Sequence, residues 1–270
     1  MIFENGKEIP LWNGEPVMSH GSQAGIDIPT ITPYFPAVWN SNRKAIVIYP
    51  GGAYSHLAEH EGRGYAEYFA GRGFHCFVVK YRLGADKKYF HPAELADAAR
   101  GVRLVRAAAK ELGIRPDCIG VMGSSAGGHL AATVSNMHEQ ASKSPDEGDV
   151  AKVSSRPDFA VLCYPVISAD QAIANKGSFV NLLGLTEFDE AKCRALSQEL
   201  LVTKQTPPTF LWHTMQDNGV LCENSLVYAE ALRKAGVAFE LHIYEKGPHG
   251  QGLFKGHPWA EECVRWLNGF

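Results

Sequence analysis

Several things are missing from this sequence, and each absence narrows what the chain does. No apolar run approaches the roughly 20 residues that span a bilayer, so a membrane partner is not expected. Neither sign of charge dominates: 26 Lys and Arg against 29 Asp and Glu leave a net charge of −3, without the basic footprint of a nucleic-acid binder. Cysteine is sparse and scattered. Cys76, Cys118, Cys163, Cys193, Cys222 and Cys263 form no C-x-x-C pair, which argues against a zinc or dithiol redox motif. Cys76, Cys118 and Cys163 lie in apolar runs, where a free cysteine behaves as a small hydrophobe. They read as buried thiols in a reducing compartment, because a chain this long does not need disulfide staples. No internal repeat or low-complexity tract interrupts the chain. The start, Met1 to Glu8, has neither a basic nor an apolar leader region, so the expected location is cytoplasmic, or secreted if a signal peptide was removed.

What is present is an alternation. Of the residues, 45% are hydrophobic, enough for a sizeable core. Apolar strand-like runs occur at Ile31–Pro36, Ala45–Tyr49, Phe74–Tyr81, Cys118–Met122, Phe159–Tyr164, Thr209–Thr214 and Phe239–Tyr244. Helical patterns occur at Gly64–Arg72, Ala93–Leu112, Gly127–Met137, Ser225–Ala235 and Trp259–Leu267. In the second, Leu95, Ala99, Val102, Val105 and Ala109 make an apolar stripe, and Asp97 and Arg100 between them read as a solvated ion pair. Strand and helix alternating in this way predict an α/β fold with a mostly parallel, doubly wound sheet. Residues 1–270 are expected to form a single domain. The polar stretch Glu139–Arg156 reads as an exposed loop. Ala169–Thr206 is longer than a simple crossover. Its helix-like pieces at Ser178–Leu183 and Glu190–Leu200 are expected to form a small cap-like insertion over the carboxyl edge of the sheet.

The chemistry is concentrated at Gly123-Ser124-Ser125-Ala126-Gly127, a G-x-S-x-G sequence. A bare match is weak, because Gly and Ser are common in turns. Here the apolar run Cys118–Met122 precedes it and a helix-compatible run of small residues follows it, the strand–turn–helix context of a nucleophile elbow. Ser125 is the candidate nucleophile. A serine hydroxyl at its ordinary pKa needs an adjacent base.

Among eleven histidines, His249 in Lys246-Gly247-Pro248-His249-Gly250 follows the last strand and has the right place for that base. His213 and His242 lie within strands and read as packing residues, and His129 reads as structural. An acid is expected between serine and histidine, after a strand. Asp217 is the only carboxylate in the loop Met215–Val220; Glu223, Glu187, Asp189 and Asp170 are alternatives with poorer placement. Backbone amides for a developing oxyanion are expected from Ala126 and from Gly52 and Ala53, in the turn after strand Ala45–Tyr49. Tyr54, Ser168 and Leu221 lie in loops that would wall the pocket, and Tyr54 and Leu221 are the candidate substrate-binding residues.

Pro50-Gly51-Gly52-Ala53-Tyr54, the block Gly123 to Ala131, the Asp217 loop and Pro248-His249-Gly250 stand in that order. Together they resemble the α/β-hydrolase carbohydrate esterases, the acetyl xylan and bifunctional acetyl xylan–feruloyl esterases, near the hormone-sensitive-lipase-like branch. Pro50 and Ala53 replace the histidine and third glycine of that branch's His-Gly-Gly-Gly motif, which favours the carbohydrate-esterase side. The resemblance implies a serine esterase acting on acetyl esters of xylose-containing saccharides. The partner would be a small-molecule or oligosaccharide ester, and no metal or organic cofactor is implied. A feruloyl or general short-chain carboxylesterase is the nearest alternative. An inactive ligand-binding module would be favoured by a missing member of the Ser-His-Asp set, and none is missing. A long-chain lipase would be expected to carry an apolar lid, whereas Ala169–Thr206 is mixed in character.

Overall fold

A computed structural model describes residues 3–84, 87–253 and 256–270; Met1 and Ile2, part of the stretch read for a leader, lie outside them. Eight strands form one sheet: β1 (Ile9–Pro10), β2 (Thr30–Tyr34), β3 (Ala45–Tyr49), β4 (His75–Lys80), β5 (Ile119–Ser124), β6 (Ala160–Cys163), β7 (Thr209–Thr214) and β8 (Phe239–Tyr244). Their spatial order is β1-β2-β4-β3-β5-β6-β7-β8. The first two pairings are antiparallel and the remaining five parallel. The helices are α1 (Glu59–Ala70), α2 (Ala93–Ala107), α3 (Ser125–Met137), α4 (Lys176–Leu183), α5 (Glu190–Cys193), α6 (Glu223–Ala235) and α7 (Trp259–Leu267).

The side-chain alternation of a strand sorts β3 between two cores. Ala45, Val47 and Tyr49 join one with α2 and α3; Ile46 and Ile48 join the other with Tyr65 and Phe69 of α1 and Trp259 of α7. An all-apolar strand is tolerated because helices cover both faces. The chain leaves β3 for β4 on one side and returns to β5 on the other. The carboxyl ends of β3 and β5 therefore flank a topological switch point, where open α/β sheets leave a crevice.

The doubly wound α/β reading holds. Its seven strands are present within two residues of their expected bounds, and β1 is an eighth. β1 has two residues, one of them Pro10, and a proline at a sheet edge gives no strand pattern to read. α1 starts at Glu59 rather than Gly64, with Glu59 and Glu61 in its first turn, where acidic groups suit the positive end of the helix dipole. α2 ends at Ala107 rather than Leu112. The piece read at Glu190–Leu200 divides into α5 and two 3-10 turns, Arg194–Leu196 and Gln198–Leu200. All six cysteines are free and buried.

Two readings fail. Asp97 and Arg100 are not a solvated pair; both are fully buried, with separate partners. Asp97 accepts from Trp12 Nε1 at 2.8 Å and from Arg82 Nε and Nη2, both at 2.8 Å. Arg100 donates to Leu11 O at 3.1 Å and to Glu147 at 3.0 Å. Nor is Glu139–Arg156 simply an exposed loop. Its 3-10 turn Pro145–Lys152 carries Glu147, which is buried and also accepts two hydrogen bonds from Arg103, at 3.0 and 2.9 Å. One physical cause accounts for both errors. α2 is covered on its outer face by the N-terminal segment and by this turn, so its charged stripe faces protein instead of water.

Removing Glu147 would strand two buried guanidinium groups. Glu147→Ala is expected to cost about 3–5 kcal/mol of stability, read as a lower urea midpoint. A loss under about 1 kcal/mol, the worth of an exposed pair, would contradict the buried-triad description.

Candidate active site

β5 ends at Ser124 and α3 begins at Ser125, with no residue between. Ser125 bridges this turn with a φ of +52°. Left-handed backbone is uncommon for a residue with a side chain and marks a strained turn. Ala53 (φ +52°), Tyr54 (φ +57°) and Tyr164 (φ +36°) share that property, and all lie around the same crevice. The close approach of the two strand ends depends on glycine. A Cβ on Gly127 would fall 2.1 Å from Tyr49 O, and one on Gly51 would fall 2.7 Å from Ser124 O.

The three residues expected to work together are in contact. Ser125 Oγ lies 2.8 Å from His249 Nε2, and His249 Nδ1 lies 2.7 Å from Asp217 Oδ2. Asp217 is almost fully buried, and its other oxygen accepts from the amides of Gly219 and Val220 at 2.8 and 2.9 Å. Burial pushes the Asp217 carboxyl up, but hydrogen bonds from His213, His249 and the Val220 amide outweigh it and hold the group well below the usual carboxylate range. Asp217 therefore stays ionised and keeps a proton on His249 Nδ1. Nε2 is then the basic nitrogen facing the serine hydroxyl. None of Glu223, Glu187, Asp189 or Asp170 bonds to His249; Asp189 pairs with Lys192, and Asp170 caps the Ala172 amide.

His213 is buried within β7, as its strand position predicts. It is also part of the site. Its Nε2 lies 2.8 Å from Val220 O and 3.3 Å from Asp217 Oδ2, and its Nδ1 lies 2.8 Å from Ser225 Oγ. Two acceptors on Nε2 assign the proton there, so Ser225 donates to Nδ1. His213 thus braces the Asp217 loop and the acid at once. A histidine inside an apolar strand carries no local signal for this role, because the partner loop begins only after the strand ends. His129 is buried as expected. Its Nε2 donates to Leu196 O at 2.9 Å and its Nδ1 accepts from Tyr54 Oη at 2.8 Å. Burial lowers its pKa to about 4, so it is neutral.

The amides of Gly52 and Ala53 have no acceptor among the described residues. Gly52 has a φ of +129°, and a Cβ there would fall 2.1 Å from His56 O, so the turn requires glycine. Ala126 lies in the first turn of α3, where amides have no partner within the helix. Tyr54 departs from expectation. Its ring is buried edge-on against Tyr81 and behind the turn, so it supports the crevice from below and does not wall it. Leu221 is partly exposed in the Asp217 loop.

Residues 169–206 reach the site through two side-chain amides. Asn175 Nδ2 donates to Gly219 O at 2.8 Å, and Asn181 Nδ2 to Ala53 O at 2.8 Å. Among the described residues, one cluster has metal-ligand spacing: Glu240, His242 and Glu262. It sits toward the amino ends of the strands, away from Ser125, and Arg265 already pairs with both carboxylates.

The BD-FAE family model matches residues 32–232. The acetylxylan esterase of Xylanibacter ruminicola is 36% identical over 236 residues, 84% of this chain and 46% of that protein. The chain thus spans less than half the length of that relative. The crystal structure of an acetyl ester-xyloside bifunctional hydrolase from Caldicellulosiruptor lactoaceticus is 40% identical, with a TM-score of 0.88 over 99% of this chain and 97% of that one. A thermophilic esterase from Thermogutta terrifontis, solved with propionate bound, is 29% identical, with a TM-score of 0.75 over 98% of this chain and 92% of that one. The matched family model covers most of the chain, including the strand ends that carry Ser125 and Asp217: the protein belongs to the BD-FAE family, among the α/β-hydrolase carbohydrate esterases.

Proposed function

We propose that this protein is a serine esterase that removes short acyl groups, acetyl above all, from xylose-containing saccharides. The observation that carries the reaction type is the Ser125–His249–Asp217 hydrogen-bond chain at a strand–helix turn. In this reading Ser125 Oγ attacks the ester carbonyl while His249 Nε2 takes its proton. The oxyanion accepts hydrogen bonds from the amides of Ala126, Gly52 and Ala53. The intermediate collapses, His249 returns the proton to the departing sugar hydroxyl, and an acyl-enzyme on Ser125 remains. Water, deprotonated by His249, releases the acid. Asp217 does not take the proton; it holds the ring and stabilises the imidazolium. Residues 169–206 serve as a small cap, fastened over the crevice by Asn175 and Asn181, within one catalytic domain.

The saccharide and the acetyl group are supported by similarity to the acetylxylan esterase and the acetyl ester-xyloside hydrolase. A short acyl group is further supported by the related esterase that holds propionate.

Ser125→Ala, His249→Ala and Asp217→Asn are each expected to lose most activity on p-nitrophenyl acetate, with losses that do not add in double variants. His213→Gln is expected to lower kcat by a smaller factor, about tenfold, since it removes a brace and spares the reacting atoms. Near-wild-type kcat in Asp217→Asn would remove Asp217 from the mechanism.

A chain-length series tests the acyl pocket. In an open apolar groove each added CH₂ contributes up to about 0.8 kcal/mol, and kcat/KM rises with length. In a closed short-acyl pocket overpacking costs about 1–3 kcal/mol, and kcat/KM falls beyond two to four carbons. The expected result is the fall, with acetate released from acetylated xylo-oligosaccharides. A rise through octanoate with no such release would leave a general carboxylesterase.

A further inference from the structure

Glu61 is a buried carboxylate beside the site for which the mechanism above has no use. It lies in the first turn of α1 and is 3% exposed. Among the described residues no lysine or arginine pairs with it; the imidazole of His60 stands with Nε2 3.8 Å away. His60 Nε2 lies 2.9 Å from Gly250 O. Burying a carboxylate without a cation is costly, and stability alone would favour an apolar side chain here. Two neutral donors hold it. Oε2 accepts from the Gly51 amide at 2.8 Å, and Oε1 accepts from Tyr164 Oη at 2.7 Å.

Each donor leads to a different half of the reaction centre. Gly51 immediately precedes the Gly52 and Ala53 amides, and a Cβ on it would fall 2.5 Å from Glu61 Oε2 and 3.1 Å from Ser125 Cβ. Gly51 is thus held between Glu61 and the nucleophile. Tyr164 leads to the base: its ring stands edge-on to His249, with centroids 5.2 Å apart. Its Oη also accepts from the amide of Gly252, three residues beyond His249, at 3.0 Å.

A carboxylate only accepts hydrogen bonds, and this fixes the direction of every bond behind it. Tyr164 must donate to Glu61. Tyr65 Oη, 3.1 Å from Tyr164 Oη, must then donate to it. Ser124, next to the nucleophile, donates to Tyr65 at 3.0 Å. Ser124, Tyr65, Tyr164 and Glu61 form one directed chain, joined at Tyr164 by the His249 loop and at Glu61 by the oxyanion turn.

We propose that Glu61 is a positioning residue that sets the oxyanion turn and the His249 loop in register about Ser125. This rests on the serine-esterase reading. Glu61 does not touch the reacting atoms; it acts through Gly51 and Tyr164.

The test is kcat and KM on p-nitrophenyl acetate, with thermal melts, for the wild type, Glu61→Gln, Tyr164→Phe, the double variant and Ser125→Ala. Glutamine keeps the volume of Glu61 but must donate on one side. Tyr164 Oη already accepts twice, so one bond is lost or the chain reverses. Displacement of reacting groups by about 1 Å costs on the order of 100-fold. Glu61→Gln is therefore expected to lower kcat by about 10- to 100-fold, with KM within about threefold. Tyr164→Phe is expected to lower kcat by about tenfold, and the double variant to be no worse than Glu61→Gln, because the residues act as one unit. Wild-type kcat in folded Glu61→Gln, or losses that multiply in the double variant, would overturn the proposal. Should Glu61→Gln melt below the assay temperature, Tyr164→Phe decides alone, and wild-type kcat in it overturns the proposal. Activity surviving in Ser125→Ala would instead sink the esterase reading, independently of Glu61.

Discussion

The structure turns on one close approach, the packing of the Pro50–Gly52 turn against the Ser124–Gly127 elbow. Backbone meets backbone there because Gly51 and Gly127 carry no side chain. The contact is possible only where β3 and β5 are neighbours and run parallel, ending at the same edge. Everything the chemistry requires depends on that edge. Ser125 is raised above it by a left-handed turn, and the amides of Gly52 and Ala53, without acceptors among the described residues, lie just beyond the end of the neighbouring strand β3. The two apolar cores keep the strands from yielding to this strain.

Four of the buried acids are held in two different ways. Glu147 and Asp97 are matched with arginines and tie peripheral segments to α2. Asp217 and Glu61 are held by histidine, tyrosine and backbone donors, none with a permanent charge. A carboxylate next to arginine spends its field on that arginine. One held by neutral donors still acts on its surroundings, which suits Asp217 to the role proposed for it, stabilising an imidazolium.

Most of the fold was legible because its signals are local. Apolar runs of strand length and the stripe of α2 do not depend on what packs against them. The Ser125, Asp217 and His249 positions were legible because each follows a strand at one edge, and strand order constrains which loops meet. What could not be read depends on contacts distant in sequence. The burial of Asp97 requires Trp12 and Arg82, and that of Arg100 and Arg103 requires Glu147. A helical stripe of charge looks the same whether water or protein covers it. Tyr54 misled for a related reason: a tyrosine beside a glycine turn looks exposed until His129 is found beneath it. Glu61 was hidden by the two glycines of α1, which concealed the helix start.

Residues 169–206 are tied near their start by two primary amides, Asn175 on the Asp217 loop and Asn181 on the turn after β3. Neither bond contains an ionisable group, so neither is screened by electrolyte or undone by protonation. These two ties therefore hold the start of the segment over the crevice without responding to acid or salt.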